Sequence, residues 1–199
     1  NRGGALKSYV CYGTNYQNAF WDGTRMTYGN GFAAADDVVA HELTHGVTEN
    51  SSRLVYSYQS GALNESFSDI FGEAVDLTNT GGNDGNGVRW DMGEDIPGIG
   101  AIRDMMDPTR FGDPDRTNSS YYYCGTGDYG GVHTNSGVPN KAFALMVDGG
   151  NFNGYTVSAT GITAAAAIEY RTNNTILTSS SKFYDNYTGL ISSCGALYG

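Results

Sequence analysis

His41-Glu42-Leu43-Thr44-His45 holds two of the three histidines in this 199-residue chain. On a helix, residues at i and i+4 share a face, so both imidazoles could grip one metal ion. Glu42, one position on from His41, could lean over the open side of that ion. A catalytic zinc takes three protein ligands and keeps a fourth position for water, whose acidity it raises. A neighbouring carboxylate can then accept the water's proton and pass it to a leaving amine. The pentapeptide also fits a helix that merely carries two partly buried histidines. Glu65 narrows the choice. It follows His45 by 20 positions (65 − 45), room for a loop that brings a second helix back beside the first. Asp69 lies four residues beyond Glu65, on the same face. It could accept the outer ring N–H of a ligand histidine and so fix its tautomer. A solvated helix face is the bland reading of that pair.

These side chains need two helices. Residues 36–50 read as the first, with Asp36 and Asp37 at its positive end and an apolar stripe of Val38, Val39, Leu43, Gly46 and Val47. Residues 62–78 read as the second, through Leu63, Phe67, Ile70, Phe71, Ala74 and Val75. Ahead of them, residues 5–29 read as extended. Lys7 to Tyr12 alternates, and Ala19-Phe20-Trp21 enters an Asp22-Gly23 turn that leads to Arg25-Met26-Thr27-Tyr28. A Gly/Asn/Asp loop is predicted at 79–87 and mostly loop at 89–136. Further helices are predicted near 138–148, 161–172 and 180–193.

Composition sets outer bounds. Asp and Glu number 21 against 11 Lys and Arg, a formal net charge of −10. Such a surface repels phosphate backbones, which argues against a nucleic-acid partner. No apolar run is long enough to cross a membrane. The odd count of Cys11, Cys124 and Cys194 allows one disulfide plus a buried thiol, or three buried thiols. Asn50, Asn118, Asn173 and Asn186 each open an Asn-X-Ser/Thr triplet, which also arises often by chance. The sequence opens at Asn1-Arg2-Gly3-Gly4 with no initiator Met, as a processed form or a fragment would.

The stretch from Val38-Val39-Ala40-His41 through Ser60-Gly61-Ala62-Leu63-Asn64-Glu65 to Ser68-Asp69-Ile70-Phe71-Gly72 resembles the thermolysin-like neutral zinc metallopeptidases, the gluzincin kind. So do Asn18 to Gly23, Ile102 to Pro108 and Gly130 to Gly137, in the family's order. The resemblance implies an α+β zincin core. A short β-rich segment (1–35) would carry the substrate edge strand, and a mainly helical lobe (36–199) would carry the metal. It implies zinc on His41, His45 and Glu65, with Glu42 as general base and Asp69 orienting His41. His133 and Tyr56 would donate to the developing oxyanion, and Asp128 would orient His133. Arg103 would hold a substrate carbonyl and brace Glu65. Asn18 and Ala19 would pair with the peptide backbone. Val38, Met92 and Ile102 would line an apolar pocket just after the scissile bond. Asp37, Glu73, Asp76 and Glu94 fall near positions of a structural calcium. Arg89 stands where a further acidic ligand is expected, which favours one calcium over two, with an empty site compensated by that arginine as the alternative. Against the family pattern the chain is short at both ends, and the connection from Asp22 to Asp37 is short as well. The implied activity is a secreted endopeptidase acting on proteins or peptides. A zinc-binding or assembly module without catalysis, and an aminopeptidase, are the rival readings.

Overall fold

The computed structural model describes residues 4–79, 81–83 and 85–199. Asn1, Arg2 and Gly3 of the opening tetrapeptide, and Thr80 and Asp84 of the predicted 79–87 loop, lie outside the described residues.

The front of the molecule is a three-stranded sheet of order β1-β3-β2. It comprises β1 (Ser8–Tyr9), β2 (Ala19–Trp21) and β3 (Met26–Tyr28). β2 and β3 form the hairpin expected from Asp22-Gly23, with Ala19 opposite Tyr28 and Trp21 opposite Met26. The Asp22 carboxylate closes the turn by accepting from the Thr24 and Arg25 amides at 3.0 and 3.1 Å. β2 is left at one edge. The Gly29 amide donates to the Asn18 carbonyl and the Asp22 amide to the Arg25 carbonyl. Antiparallel alternation therefore turns the backbone groups of Ala19 and Trp21 toward the free side.

Two long helices follow, α1 (Asp36–Glu49) and α2 (Tyr58–Asp76). α1 matches its predicted span. α2 begins four residues before the predicted start, with Tyr58 itself left-handed (φ 48°) and Gly61 packed against Val132. Residues 61–70 of α2 are all buried, as befits a helix enclosed on every side. α1 crosses it closely at Gly72, where an added Cβ would stand 2.7 Å from the Asp37 carbonyl oxygen. Of the predicted α1 stripe, Val38 is buried, but Val47 is exposed. It sits on the outer side of the last turn, where α2 no longer covers α1.

The 89–136 stretch holds more than loop. β4 (Asp91–Met92) pairs antiparallel with β5 (Arg103–Asp104), and α3 spans Asp128–Asn135. Its first four residues are left-handed, with φ of 48, 51, 95 and 76° at Asp128, Tyr129, Gly130 and Gly131, a pattern that helical periodicity cannot reveal. α4 (Gly137–Asp148), α5 (Ile162–Thr175) and α6 (Phe183–Tyr198) complete the helical part. Between α4 and α5 lies a hairpin of β6 (Gly150–Phe152) and β7 (Tyr155–Val157). Its strands are too short to carry an alternation signal. No described helix is long and apolar enough to cross a membrane.

Two main cores flank α1 and α2. Met26, Tyr28, Phe32, Val38 and Ile96 fill the space between the sheet and α1. Ile70, Trp90, Met92, Met105, Phe143 and Ala165 fill that between α2, the β4–β5 pair, α4 and α5. The cysteines depart from both expectations. Cys11, Cys124 and Cys194 are all unpaired and all exposed, each on a loop or outer helix face far from a core. Of the glycosylation triplets, Asn173 and Asn186 are buried, where a glycan cannot be attached.

Glu169 on α5 is 2% exposed, and its Oε2 has no hydrogen-bond partner. Burial pushes its carboxyl up to about 8. In the unfolded chain that carboxyl ionises near pH 4.3. Between those values the native state holds the extra proton, so stability falls as pH rises through the window. Glu169→Gln removes the proton from the balance. Urea unfolding of both proteins at about pH 5 and about pH 8 is expected to show the Gln variant gaining on the parent, by up to a few kcal/mol at the higher pH. A pH-independent difference would contradict this.

Candidate metal centre and cleft

His41 and His45 leave α1 on the side that meets α2, and Glu65 leaves α2 toward them. Ligand atoms of these three side chains all lie within 4.8 Å of one another. The two Nε2 atoms are 3.1 Å apart, and the Glu65 carboxylate oxygens lie 3.5 Å from each.

The outer ring nitrogens explain why the Nε2 atoms face inward. His41 Nδ1 donates to Asp69 Oδ1 at 2.8 Å. His45 Nδ1 donates to Asn64 Oδ1 at 2.8 Å, with Ser68 Oγ 3.1 Å away. The Asn64 amide is oriented by its own donation to the Leu54 carbonyl at 3.1 Å. With each Nδ1–H donating outward, both Nε2 atoms turn inward, and in the neutral rings their lone pairs form a donor set suited to a cation. Glu65 fits it too: the side chain is fully buried and its Oε2 has no hydrogen-bond donor.

Asp69 is the support behind this arrangement. It is fully buried, accepts twice from Arg103 (2.9 and 2.6 Å) and once from Asn140 Nδ2 (2.7 Å). The expected brace from Arg103 to Glu65 is therefore a brace to Asp69, one helical turn on, where the planar guanidinium meets both carboxylate oxygens. Burial opposes charge on Asp69, but Arg103 and His41 outweigh it and hold the carboxyl far below its usual range. Burial likewise opposes charge on Glu65, yet His133, His45 and His41 hold it down at about 2. On His41, burial works against the proton while Asp69 and Glu65 favour it, and the balance lies at about 9. Burial pulls His45 down.

Around the three ligands stand the other residues singled out from sequence. Glu42 is 6% exposed; burial raises its carboxyl to about 7, against the pull of His41. The Tyr56 hydroxyl donates to Glu65 Oε1 and lies 3.2 Å from His133 Nε2. Burial, then the Glu65 charge, pushes that phenol well up. His133, half exposed on α3, has its Nδ1 2.8 Å from Asp128 Oδ1, and its own amide donates to Asp128 Oδ2 at 3.0 Å. The left-handed run from Asp128 to Gly131 makes that contact by folding the chain back before His133. Gly130 and Gly131 are required there, since a Cβ would lie 2.4 Å from the Tyr58 ring and 2.6 Å from the Tyr123 ring.

A cleft of about 900 Å³ opens over this group. Asn18 and Ala19 line it, as do Val38, Met92 and Ile102 and the side chains of His41, Glu42, His45, Glu65, Arg103, Tyr56 and His133. Asp69 and Asp128 stand behind the wall. Sequence reasoning missed the roles of Asn64 and Asn140. Asn64 was legible in principle, being next to Glu65 on the helix that faces His45. Asn140, 71 residues from Asp69, gave no local signal.

The predicted calcium residues lie close enough for Asp37, Asp76 and Glu94 to act on the Glu73 charge, but among the described residues only His41, His45 and Glu65 bring three ligand atoms within 4.8 Å of one another. Asp37, Glu73 and Asp76 are each 3% exposed or less. Both carboxylate oxygens of Glu73 and Oε2 of Glu94 have no hydrogen-bond donor. Burial, then the charges of Asp37, Asp76 and Glu94, drives Glu73 well above its ordinary value, and burial first takes Glu94 to about 8. Arg89 pairs first with Asp148, in a bidentate contact at 2.9 and 3.0 Å, and feels the Glu73 charge only more weakly.

The family profile described as the alpha-helical domain of thermolysin metallopeptidase matches residues 52–199. The profile of its catalytic domain matches residues 1–49. The chain belongs to the thermolysin metallopeptidase family. Within that family it is 46% identical to bacillolysin of Bacillus cereus, over 99% of this chain and 36% of the relative. It is 44% identical to thermolysin of Alicyclobacillus acidocaldarius, over 98% and 36%. The chain thus spans about a third of the length of those relatives. Among solved structures, the precursor of protealysin from Serratia proteamaculans superposes with a TM-score of 0.74 at 31% identity, over 98% of this chain and 64% of the other. The α+β thermolysin-like fold expected from the motifs is the fold observed.

If Asn64 holds the His45 ring, Asn64→Ala is expected to weaken zinc binding by roughly 10- to 100-fold, with Asn64→Asp retaining more of it. Competition with a chromophoric chelator measures this. Equal affinity in all three proteins would remove Asn64 from the centre.

Proposed function

We propose that the chain is the catalytic core of a zinc endopeptidase that cleaves internal peptide bonds. The single observation that supports this most is the meeting of two Nε2 atoms and a buried carboxylate oxygen at one point, with both outer ring nitrogens tied down. Kinship with the thermolysin metallopeptidases supports it independently. His41, His45 and Glu65 would hold the ion. Zinc held there would supply Lewis acidity toward a carbonyl and toward water.

The chain's own residues do the rest. Glu42, a buried carboxylate on the cleft wall, takes a proton from the attacking water and delivers it to the departing amine. Its value of about 7 suits a group that must both accept and release a proton near neutrality. His133 and Tyr56, side by side at the rim, donate to the carbonyl oxygen as charge builds on it. Asp128 accepts a hydrogen bond from Nδ1–H of His133 and turns Nε2 toward the cleft, where the doubly protonated ring would donate through Nε2–H. The free edge at Ala19 and Trp21 takes the substrate as an added strand, with Asn18 beside it. Arg103, held by Asp69, offers its remaining donors to a substrate carbonyl. Val38, Met92 and Ile102 form the apolar pocket for the residue after the scissile bond. Extracellular location and protein or peptide substrates belong to the same reading and rest on the same kinship.

Glu42→Gln separates this reading from a zinc-binding module without catalysis. Cleavage of an internally quenched peptide is expected to fall by roughly 10²- to 10⁴-fold, with zinc still bound at one per chain by elemental analysis. If the parent and Glu42→Gln proteins bind zinc alike and neither cleaves, the module reading wins. Products released only from the N-terminus would point to an aminopeptidase.

One calcium belongs to the proposal as well, at Asp37, Glu73, Asp76 and Glu94. A hard divalent ion would let these crowded carboxylates ionise together. Millimolar calcium is expected to raise the melting temperature by several degrees, and Glu73→Gln to abolish that rise. A calcium-independent melting temperature would exclude the site.

A further inference from the structure

The cleft runs along one face of α1: Val38, then His41, Glu42 and His45, then Glu49 all line it. At 1.5 Å per residue, Glu49 stands about 6 Å beyond His45, away from the Val38 end. The wall there continues into Arg53, whose amide donates to the Thr48 carbonyl at 2.8 Å and so keeps it against the last turn of α1.

Two observations single out Arg53. Its backbone is left-handed, with φ of 58°, a conformation that disfavours any residue with a Cβ and suits glycine. Its neighbours hold it there: Ser52 and Leu54 are buried, and the Leu54 carbonyl takes the Asn64 amide. An arginine thus occupies a glycine conformation, its side chain exposed on the cleft wall. The second observation is charge. Arg25, Arg89, Arg103, Arg110 and Arg116 each reach a carboxylate. Among the described residues Arg53 and Arg171 take part in no such pair, and of these two only Arg53 lines the cleft. Glu49, the nearest acid along the wall, is instead engaged by the Trp21 indole at 2.7 Å.

The geometry points to Arg53 as a specificity-determining residue that binds an acidic side chain of the substrate on the side of the scissile bond opposite the apolar pocket. The inference rests on the peptidase reading and deepens it. An extended peptide advances about 3.3 Å per residue. The 6 Å step therefore corresponds to about two residues, and the acid falls at the second or third position before the cleaved bond. The guanidinium fork matches a carboxylate. Because the pair is exposed, the preference is modest and weakens with salt.

Binding and cleavage are measured on three peptides that differ only at that position: Glu, Gln or Lys. Affinity is read by fluorescence anisotropy on the Glu42→Gln protein, so that turnover does not interfere, with and without Arg53→Gly. Glycine is the replacement because the left-handed backbone accepts it. The Glu peptide is expected to bind roughly two- to fivefold tighter than the Gln peptide when Arg53 is present. That ratio should fall to about one in Arg53→Gly and shrink in high salt. An unchanged ratio in Arg53→Gly overturns the assignment. Absence of cleavage of the Gln peptide by the parent protein overturns the peptidase reading instead, while the binding ratio still decides the role of Arg53.

Discussion

Two fully buried carboxylates one turn apart on α2, Glu65 and Asp69, govern this structure. Removing such charges from water costs several kcal/mol each unless positive charge and hydrogen bonds replace the solvent. Asp69 is fully supplied by the Arg103 fork, Asn140 and His41. Glu65 is supplied on one oxygen by Tyr56 and on the other only by surrounding imidazoles. The two helices converge on a position that a divalent cation would complete.

That constraint links distant parts of the chain. Arg103 comes from β5 and Asn140 from α4, and both act on Asp69, which acts on His41. Asn64 ties His45 to the chain at Leu54, beside the proposed substrate contact at Arg53. The missing side chain at Gly72 lets α2 approach the Asp37 carbonyl of α1 closely. A change in any of these is felt at the centre through a hydrogen bond or a packed contact rather than through the metal ligands themselves.

Much of this was legible in sequence because it was local. His41, Glu42 and His45 follow from the pitch of one helix, and Glu65 with Asp69 from another. The β2–β3 hairpin follows from Asp22-Gly23. What escaped was either long-range or non-periodic. Arg103 grips Asp69 instead of Glu65, a difference of one turn that only the placement of β5 decides. The sequence of α3 reads as loop because Asp128 to Gly131 are left-handed and carry no helical stripe. The β4–β5 and β6–β7 pairs are too short to alternate. The cysteines were expected to pair or be buried, and their exposure follows from where each loop and helix face ends up.

The most direct measurement is an anomalous-difference map from zinc-loaded crystals, collected on both sides of the zinc absorption edge. One peak is expected between α1 and α2, about 2.0–2.2 Å from His41 Nε2, His45 Nε2 and a Glu65 carboxylate oxygen. A zinc peak elsewhere, or none with the three side chains turned apart, would contradict the account.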